Sequence, residues 1–310
     1  MTGLTIPQEY ICVGLNTFQS PMSVFVEVED LKFLLDVTAS HLFLGYRPLI
    51  IGLPFNMDDK NFEIVKGQNH VALKFQNGKY SVAKLSLVKI GEKILGKEVV
   101  LFFQGRYGTH SFLNPIHQGV NRQRERWKKR TPNNINLPGN LFEQVRIAYS
   151  IPRVISIVTV SDGTLMNMFP TDLHGAVGER FYASSLREGG LANEQVERYN
   201  RIVISEVDVS FYRQAYSLGK NHMQELSEEN RFPLHDEKSK SFNFCLPKNV
   251  IRYQELKRID SFDHDIHRIH LYEVIYKQVI GEGKSTLAHI HQYYAQWRFD
   301  RDIQTQMFIR

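Results

Sequence analysis

The chain has 310 residues, 42% of them hydrophobic and 23% charged, with 20 Gly and 11 Pro, which supplies one large or two medium cores and excludes disorder, collagen and coiled coil as descriptions of the whole. Two cysteines, Cys12 and Cys245, exclude a disulfide framework and a zinc site built on thiolates alone, and make a reducing cytoplasm the expected compartment. The 38 basic and 33 acidic residues leave a net charge of +5, which suits an anionic small ligand as well as a polynucleotide.

No membrane partner is expected. The most apolar stretch, His41 to Phe55, is broken by Arg47 and two prolines, and Met1 to Tyr10 carries no secretory signal. From there the first part of the chain reads as strand. Ser23–Val28, Pro48–Ile51, His70–Phe75 and Val99–Phe103 are short β-branched or aromatic runs bounded by Gly, Asn and Pro. Asn77-Gly78 between two of them predicts a type I′ hairpin turn, whose central residues both need φ > 0. These runs predict an antiparallel barrel or curled sheet.

The basic run Arg122, Arg124, Arg126, Lys128, Lys129, Arg130 then leads into Thr131-Pro132-Asn133-Asn134 and Pro138-Gly139, where apolar periodicity stops. A domain boundary is placed there, giving residues 1–130 as a β-rich N-terminal domain and 131–310 as a second domain. Glu125 interrupts the run and only Trp127 could stack on bases, so a solvated helix or linker is the expected role and nucleic acid is not the expected partner.

Beyond the break, Val154–Val160 is apolar on nearly both faces and reads as a buried strand, turned by Asp162-Gly163 into Thr164–Phe169. Arg180–Arg187 is a further strand, Leu191–Tyr199 a short amphipathic helix after Gly189-Gly190, and Ile202–Ile204 a strand. Two long strands, Arg252–Ile259 and Arg268–Val279, are expected on either side of a polar segment, Asp260–His267. Leu287–Trp297 reads as a helix, with aromatic content also compatible with a strand.

Three stretches carry a resemblance. Ile151-Pro152-Arg153-Val154 opens a strand ending in Thr159-Val160, and its hairpin is followed by Asn167-Met168-Phe169-Pro170-Thr171-Asp172. Ser184-Ser185-Leu186-Arg187 ends a strand ahead of a helix, and Phe262-Asp263-His264 precedes a strand carrying Tyr272-Glu273-Val274. In this order they resemble the flavin reductase-like, FMN-binding split-barrel family, which opens with Pro-Arg-Pro-Val, follows its hairpin with Asn-x-x-Pro-x-Ser, and later has Gly-Asp-His and Gly-Glu-Val. The sequence departs from the pattern at Val154, at Asp172 where serine is usual, and at Ala192 where a phosphate-facing threonine would stand. The fold class expected is therefore mainly β with some α: an FMN-binding split β-barrel preceded by a β-rich domain. The Asn77-Gly78 hairpin, matched by Asp162-Gly163, suggests a degenerate second copy of the barrel in the first domain.

FMN needs an apolar slot for its ring, polar donors along the pyrimidine edge, and cations or hydroxyls for its phosphate. Thr159, Asn167, Pro170 and Thr171 are candidates for the ring edge and ribityl chain; Ser184, Ser185 and Arg187, just before a helix N-terminus, are candidates for the phosphate. The resemblance adds His267, near the flavin or a nicotinamide. Plainer readings stand beside these: Asn167 as a turn residue, Ser184 and Ser185 as strand surface, Arg187 in a surface ion pair. His264, His267 and His270 are three apart, which in a strand throws them to alternating sides, so no metal is expected. His289, His291, Tyr293 and Tyr294 read as packing, with a pocket at a dimer interface as the other possibility.

No Ser-His-Asp, P-loop or His-Glu-x-x-His pattern is present and no catalytic residue is assigned, because a flavin carries hydride chemistry itself. The resemblance implies reduction of flavin, or of a small acceptor through flavin, by NADH or NADPH in a homodimer. The alternative is a non-catalytic module that holds flavin or a partner on the same barrel.

Overall fold

The computed structural model describes residues 9–14, 22–127, 137–281, 285–290 and 308–309. Strand dominates, in antiparallel sheets. The residues divide into two compact units, built chiefly from Ser20–Ile151 and from Pro152–His289.

The first unit contains β1 (Ser23–Val28), β2 (Phe33–Asp36), β3 (Leu42–Tyr46), β4 (Leu49–Asn56), α1 (Lys60–Lys66), β5 (His70–Asn77), β6 (Tyr80–Leu95) and β7 (Glu98–His110). They form one seven-stranded sheet in the order β2-β1-β5-β6-β7-β4-β3. Alternation sets the facing: Val24, Val26 and Val28 of β1 are buried while Phe25 and Glu27 between them are not. Two helices follow, α2 (Pro115–Trp127) and α3 (Leu141–Ala148). The basic run therefore begins as helix, and Lys128–Arg130 lie outside the described residues. All seven residues from Phe142 to Ala148 are buried, and Gly105 and Gly108 of β7 give α3 room to approach: a Cβ on Gly108 would stand 2.9 Å from the Ile147 side chain. α3 thus belongs with the first unit, and the division falls after Ile151 rather than at Arg130.

The second unit contains β8 (Ser156–Ser161), β9 (Met166–Thr171), β10 (His174–Val177), β11 (Phe181–Arg187), α4 (Leu191–Tyr199), β12 (Arg201–Val207), α5 (Tyr212–Leu218), β13 (Val250–His264) and β14 (His267–Val279). Its seven-stranded sheet has the order β9-β8-β12-β13-β14-β11-β10. The edge strands β9 and β10 are joined by Asp172-Leu173 alone. Six inter-strand spacings of about 4.8 Å would hold the edges of a flat sheet roughly 29 Å apart, whereas three residue steps reach at most about 11 Å. The sheet must curl until its edges meet, and no ladder joins them among the described residues, which is the geometry of a split barrel. Val158, Val160, Phe169, Tyr182, Leu186, Ile202, Ile204, Leu256 and Tyr272 fill the core side of this sheet together with Ala192 and Val196 of α4.

Several local expectations change. The turn after β5 consists of Gly78 and Lys79, with Asn77 paired to Tyr80 in the ladder and only Gly78 at positive φ, so it is not type I′. Asp260 to His264 continue β13 up to a tight turn, because the polar side chains alternate along a paired strand. Ser285–Ile290 is a strand paired with Arg153–Val154, not the start of a helix; residues 291–297 lie outside the described residues.

Candidate functional site

The ladder registers assign each candidate residue to a face. Asn167 pairs with Val160 and Ser184 lies between Tyr182 and Leu186, so both point to the core side, as does Thr171 two residues beyond Phe169. Thr159, Pro170, Ser185, Arg187 and His267 point to the other side. The eight residues are therefore split five to three by the sheet.

On the core side the Asn167 amide, Ser184 Oγ and His270 Nε2 each have a partner within the protein. The Asn167 amide donates to Gln195 Oε1 of α4 at 2.8 Å and to the carbonyls of Asn221 at 3.0 Å and Gln224 at 3.3 Å. Ser184 Oγ lies 3.0 Å from the Tyr272 hydroxyl. His270 Nε2 lies 2.7 Å from Asn193 Oδ1; burial, then Arg258 and Arg268, push its pKa down to about 3, so the ring is neutral near pH 7. Ala192 is buried against the core and offers nothing to a phosphate.

On the other side a different group assembles where β11 meets α4. Ser185 Oγ lies 3.3 Å from His267 Nδ1, and Arg187 sits opposite His267 in the ladder. Burial, His264 and Arg187 together push the His267 pKa down to about 4, so its buried ring is neutral near pH 7. Arg187 is exposed and its side chain makes no hydrogen bond or ion pair among the described residues. The chain then turns through Gly189 at φ +73 to Gly190, the N-cap of α4, where no side chain caps the helix. Gly190 is buried, and a Cβ on it would stand 3.3 Å from the Arg187 carbonyl and 3.5 Å from that of His222, so glycine lets the His222 turn come close to the start of α4. Uncapped N–H groups and the helix dipole favour an anion there.

His222 connects this junction to the hairpin. It belongs to a 3-10 turn, Gly219–Met223, and its Nε2 lies 2.9 Å from the Pro170 carbonyl, with its ring 4.9 Å from that of Phe169. Beside Pro170 is a cavity of about 170 Å3 lined by Ile155, Pro170, Thr171, Asp172, Ala215, Tyr216 and Gly219. Asp172 Oδ2 lies 2.9 Å from His289 Nδ1. The Thr159 hydroxyl is fully buried and finds no partner among the described residues.

His222, Tyr216 and Gly190 were not legible as site residues. The first two lie in residues 208–249, which the seven-stranded sheet does not need, and no motif marks them. Gly190 carried a signal, a glycine immediately before an amphipathic helix. Among the described residues, no group of three or more His, Cys, Asp or Glu side chains is placed to hold a metal, and no helix is long and apolar enough to cross a membrane.

No family model and no curated protein matches the chain. Solved structures do. It is similar to an FMN-binding protein from Thermus thermophilus, solved with bound p-hydroxybenzaldehyde, at 14% identity and a TM-score of 0.42, over 54% of this chain and 92% of that one. It is similar to the NADH:FAD oxidoreductase SgcE6 of Streptomyces globisporus C-1027 at 11% identity and 0.44, over 58% and 99%. The flavin reductase component BorF of a bacterial two-component tryptophan halogenase gives 9% identity and 0.42, over 48% and 92%. The proteins that this chain resembles, over about half its length, are thus flavin reductases and FMN-binding proteins of the split-barrel type.

Proposed function

We propose that the second unit binds a flavin nucleotide, FMN in the first place, and exchanges electrons between a reduced nicotinamide and the flavin or a small acceptor. The observation that carries the reading is the continuous path from the β11–α4 junction to the hairpin. Arg187, Ser185 and the N-terminus of α4, which no side chain caps, supply cationic, hydroxyl and N–H donors suited to a phosphate. His222 bridges to Pro170, beside which the cavity offers an apolar wall from Ile155, Ala215 and Tyr216. At about 170 Å3 the cavity is below the roughly 300 Å3 of enclosed drug-sized sites, so it would take one edge of a flat ring system.

The donor set fits the phosphate end of FMN. Bound flavin would supply the hydride chemistry, and the protein's part is to hold the phosphate, seat the ring edge and exclude water. Self-association into a homodimer belongs to the same proposal and is measured by light scattering. The test is direct: protein purified with or reconstituted with FMN shows flavin absorbance, and NADH or NADPH bleaches it anaerobically. A colourless protein that takes up no FMN overturns the reading.

One observation favours a second reading, a non-catalytic flavin-binding module. Residues 208–249 lay α5 and the His222 turn against β9, leaving less room for a nicotinamide above the ring. In that case FMN binds and neither nicotinamide bleaches it.

A further inference from the structure

We infer that the chain is a tandem duplication of one split-barrel unit in which the first copy has lost its anion site, so that each chain takes up one flavin phosphate and not two. This rests on the flavin reading for the ligand's identity and on the fold for the rest.

The two sheets have the same strand order throughout, β1 to β7 of the first corresponding in turn to β8 to β14 of the second. The single helix after the fourth strand, α1 or α4, stands at the same point in both. Strand order alone could be a property of the fold. The irregularities are a finer record, because a bulge is one residue at one position. On the incoming strand of the long hairpin, Ile90 is skipped by the ladder of the first unit and Ile259 by that of the second, at equal distances from the turn. On the outgoing strand Arg106 and Ile275 are skipped, again at matching positions. Where the fifth strand pairs with the sixth, Val82 and Ile251 are the extra residues. The two hairpins close between Leu95 and Glu98 and between His264 and His267, and the first turn residue is left-handed in each, Gly96 at φ 62 and Asp265 at φ 53.

Reading across these registers, the junction residues of the second copy have counterparts in the first. Arg187 opposite His267 corresponds to Asn56 opposite Glu98, and Ser184 and Ser185 correspond to Leu53 and Pro54. Gly190, which leaves α4 uncapped, corresponds to Asp59, whose carboxylate caps α1 by accepting from the Asn61 N–H at 2.9 Å. Asn56 donates from Nδ2 to Glu98 Oε1 at 3.3 Å and accepts from the Asp58 N–H at 2.9 Å. In the first copy the position of Arg187 thus holds no cation, the helix N-terminus is engaged by its own carboxylate, Glu98 is paired with Asn56, and the nearby Lys97 is taken up by Asp58 at 3.4 Å. A dianionic phosphate would have to displace the Asp59 cap there, next to Glu98, whereas Arg187 offers it an unengaged cation. The same comparison shows that the scaffold does not require Ser184, Ser185 or Arg187.

The experiment is a stoichiometric titration of the full chain with FMN and, separately, with inorganic phosphate followed by 31P line broadening. One site per chain is expected for each. Arg187→Asn, at an exposed position, should weaken both by about ten- to a hundredfold, the worth of one hydrogen bond to a charged group. Adding Gly190→Asp, to recreate the first copy's capped junction, should abolish both, while Glu98→Ala should leave both unchanged. Two FMN sites per chain, or one site that survives Arg187→Asn and is lost or altered in Glu98→Ala, overturns the inference. One phosphate site removed by Arg187→Asn without any FMN binding leaves the inference standing and removes the flavin reading. No binding of either ligand overturns both.

Discussion

Replacing Asn167 by alanine should unfold the second unit more easily rather than act first on ligand binding. The side chain is 1% exposed and its amide donates to Gln195 Oε1, the Asn221 carbonyl and, at the longest distance, the Gln224 carbonyl. Gln224 keeps a second donor, the Gln195 amide at 2.8 Å, and the Asn221 carbonyl keeps the Gln224 N–H at 3.2 Å, so truncation strands one buried acceptor, Gln195 Oε1. Two lost hydrogen bonds at about 1 kcal/mol each, together with the desolvation of an acceptor left unpaired, give roughly 2–4 kcal/mol. For a unit of this size that corresponds to a fall in Tm of roughly 5–15 °C. Arg187→Ala is the contrasting change: exposed and without a direct partner among the described residues, it should move stability by less than about 0.5 kcal/mol while weakening FMN about tenfold or more. Scanning calorimetry of both variants, with fluorescence titration of FMN well below the transition, separates the two effects. An Asn167→Ala protein with parental Tm and weakened FMN binding would refute the assignment of Asn167 to the core.

Three further outcomes follow from the same geometry. The folded pKa values of His267 and His270 lie near 4 and 3, below the ordinary 6.5, so as pH falls from 6.5 the unfolded chain takes up protons that the folded one does not. Stability should drop toward pH 4 by about 1.4 kcal/mol per pH unit for each histidine; denaturant titrations that are flat from pH 6.5 to 4.5 would contradict this. Glu255 is fully buried and accepts from the Ser241 N–H at 2.8 and 3.0 Å and from the Phe242 N–H at 2.7 Å, so Glu255→Ala should cost about 3 kcal/mol and speed hydrogen exchange at residues 239–244, and unchanged exchange there argues against it. Asp59→Ala removes the cap of α1 and should cost about 1 kcal/mol in the first unit with FMN affinity unchanged, as read by urea unfolding and titration.

Much of the second unit was legible because its strands are long apolar runs and its helix α4 has a clear 3.6-residue stripe; the Leu191–Tyr199 expectation coincides with α4. The Asp162-Gly163 turn was readable for a local reason: the Asp162 carboxylate accepts from the Thr164 and Leu165 N–H groups, chemistry contained in four residues. The facing of the candidate residues was not legible. Ser184 and Ser185 are neighbours in sequence and therefore lie on opposite faces of one strand, and only the ladder to β14 says which face is core. Nor could composition separate a polar residue that meets a ligand from one that, like Asn167, holds a 3-10 turn against its own sheet.

The repeat between the two units is hidden in the sequence because the two sheets are covered differently. In the first unit β5 runs directly into β6 through Gly78-Lys79, and the face of β1, β5 and β6 away from the core carries Glu27 paired with Lys74 and Lys84, each at 3.0 Å. In the second unit residues 208–249 intervene between β12 and β13, and the corresponding positions hold Thr159, Ser205 and Tyr253, where Phe244, Leu246 and Val250 pack against Val203 and Tyr253. Half-buried ion pairs that still reach water can be exchanged at small cost, whereas a covered face cannot keep unpaired charge, so the added segment goes with different side chains at these positions. Backbone register is under a different constraint: shifting one bulge would carry a whole strand's apolar set to the wrong face. The side chains that recorded common descent were thus free to change, while Ile90 with Ile259, Arg106 with Ile275 and Val82 with Ile251 stayed in place, because the core on the opposite face depends on them.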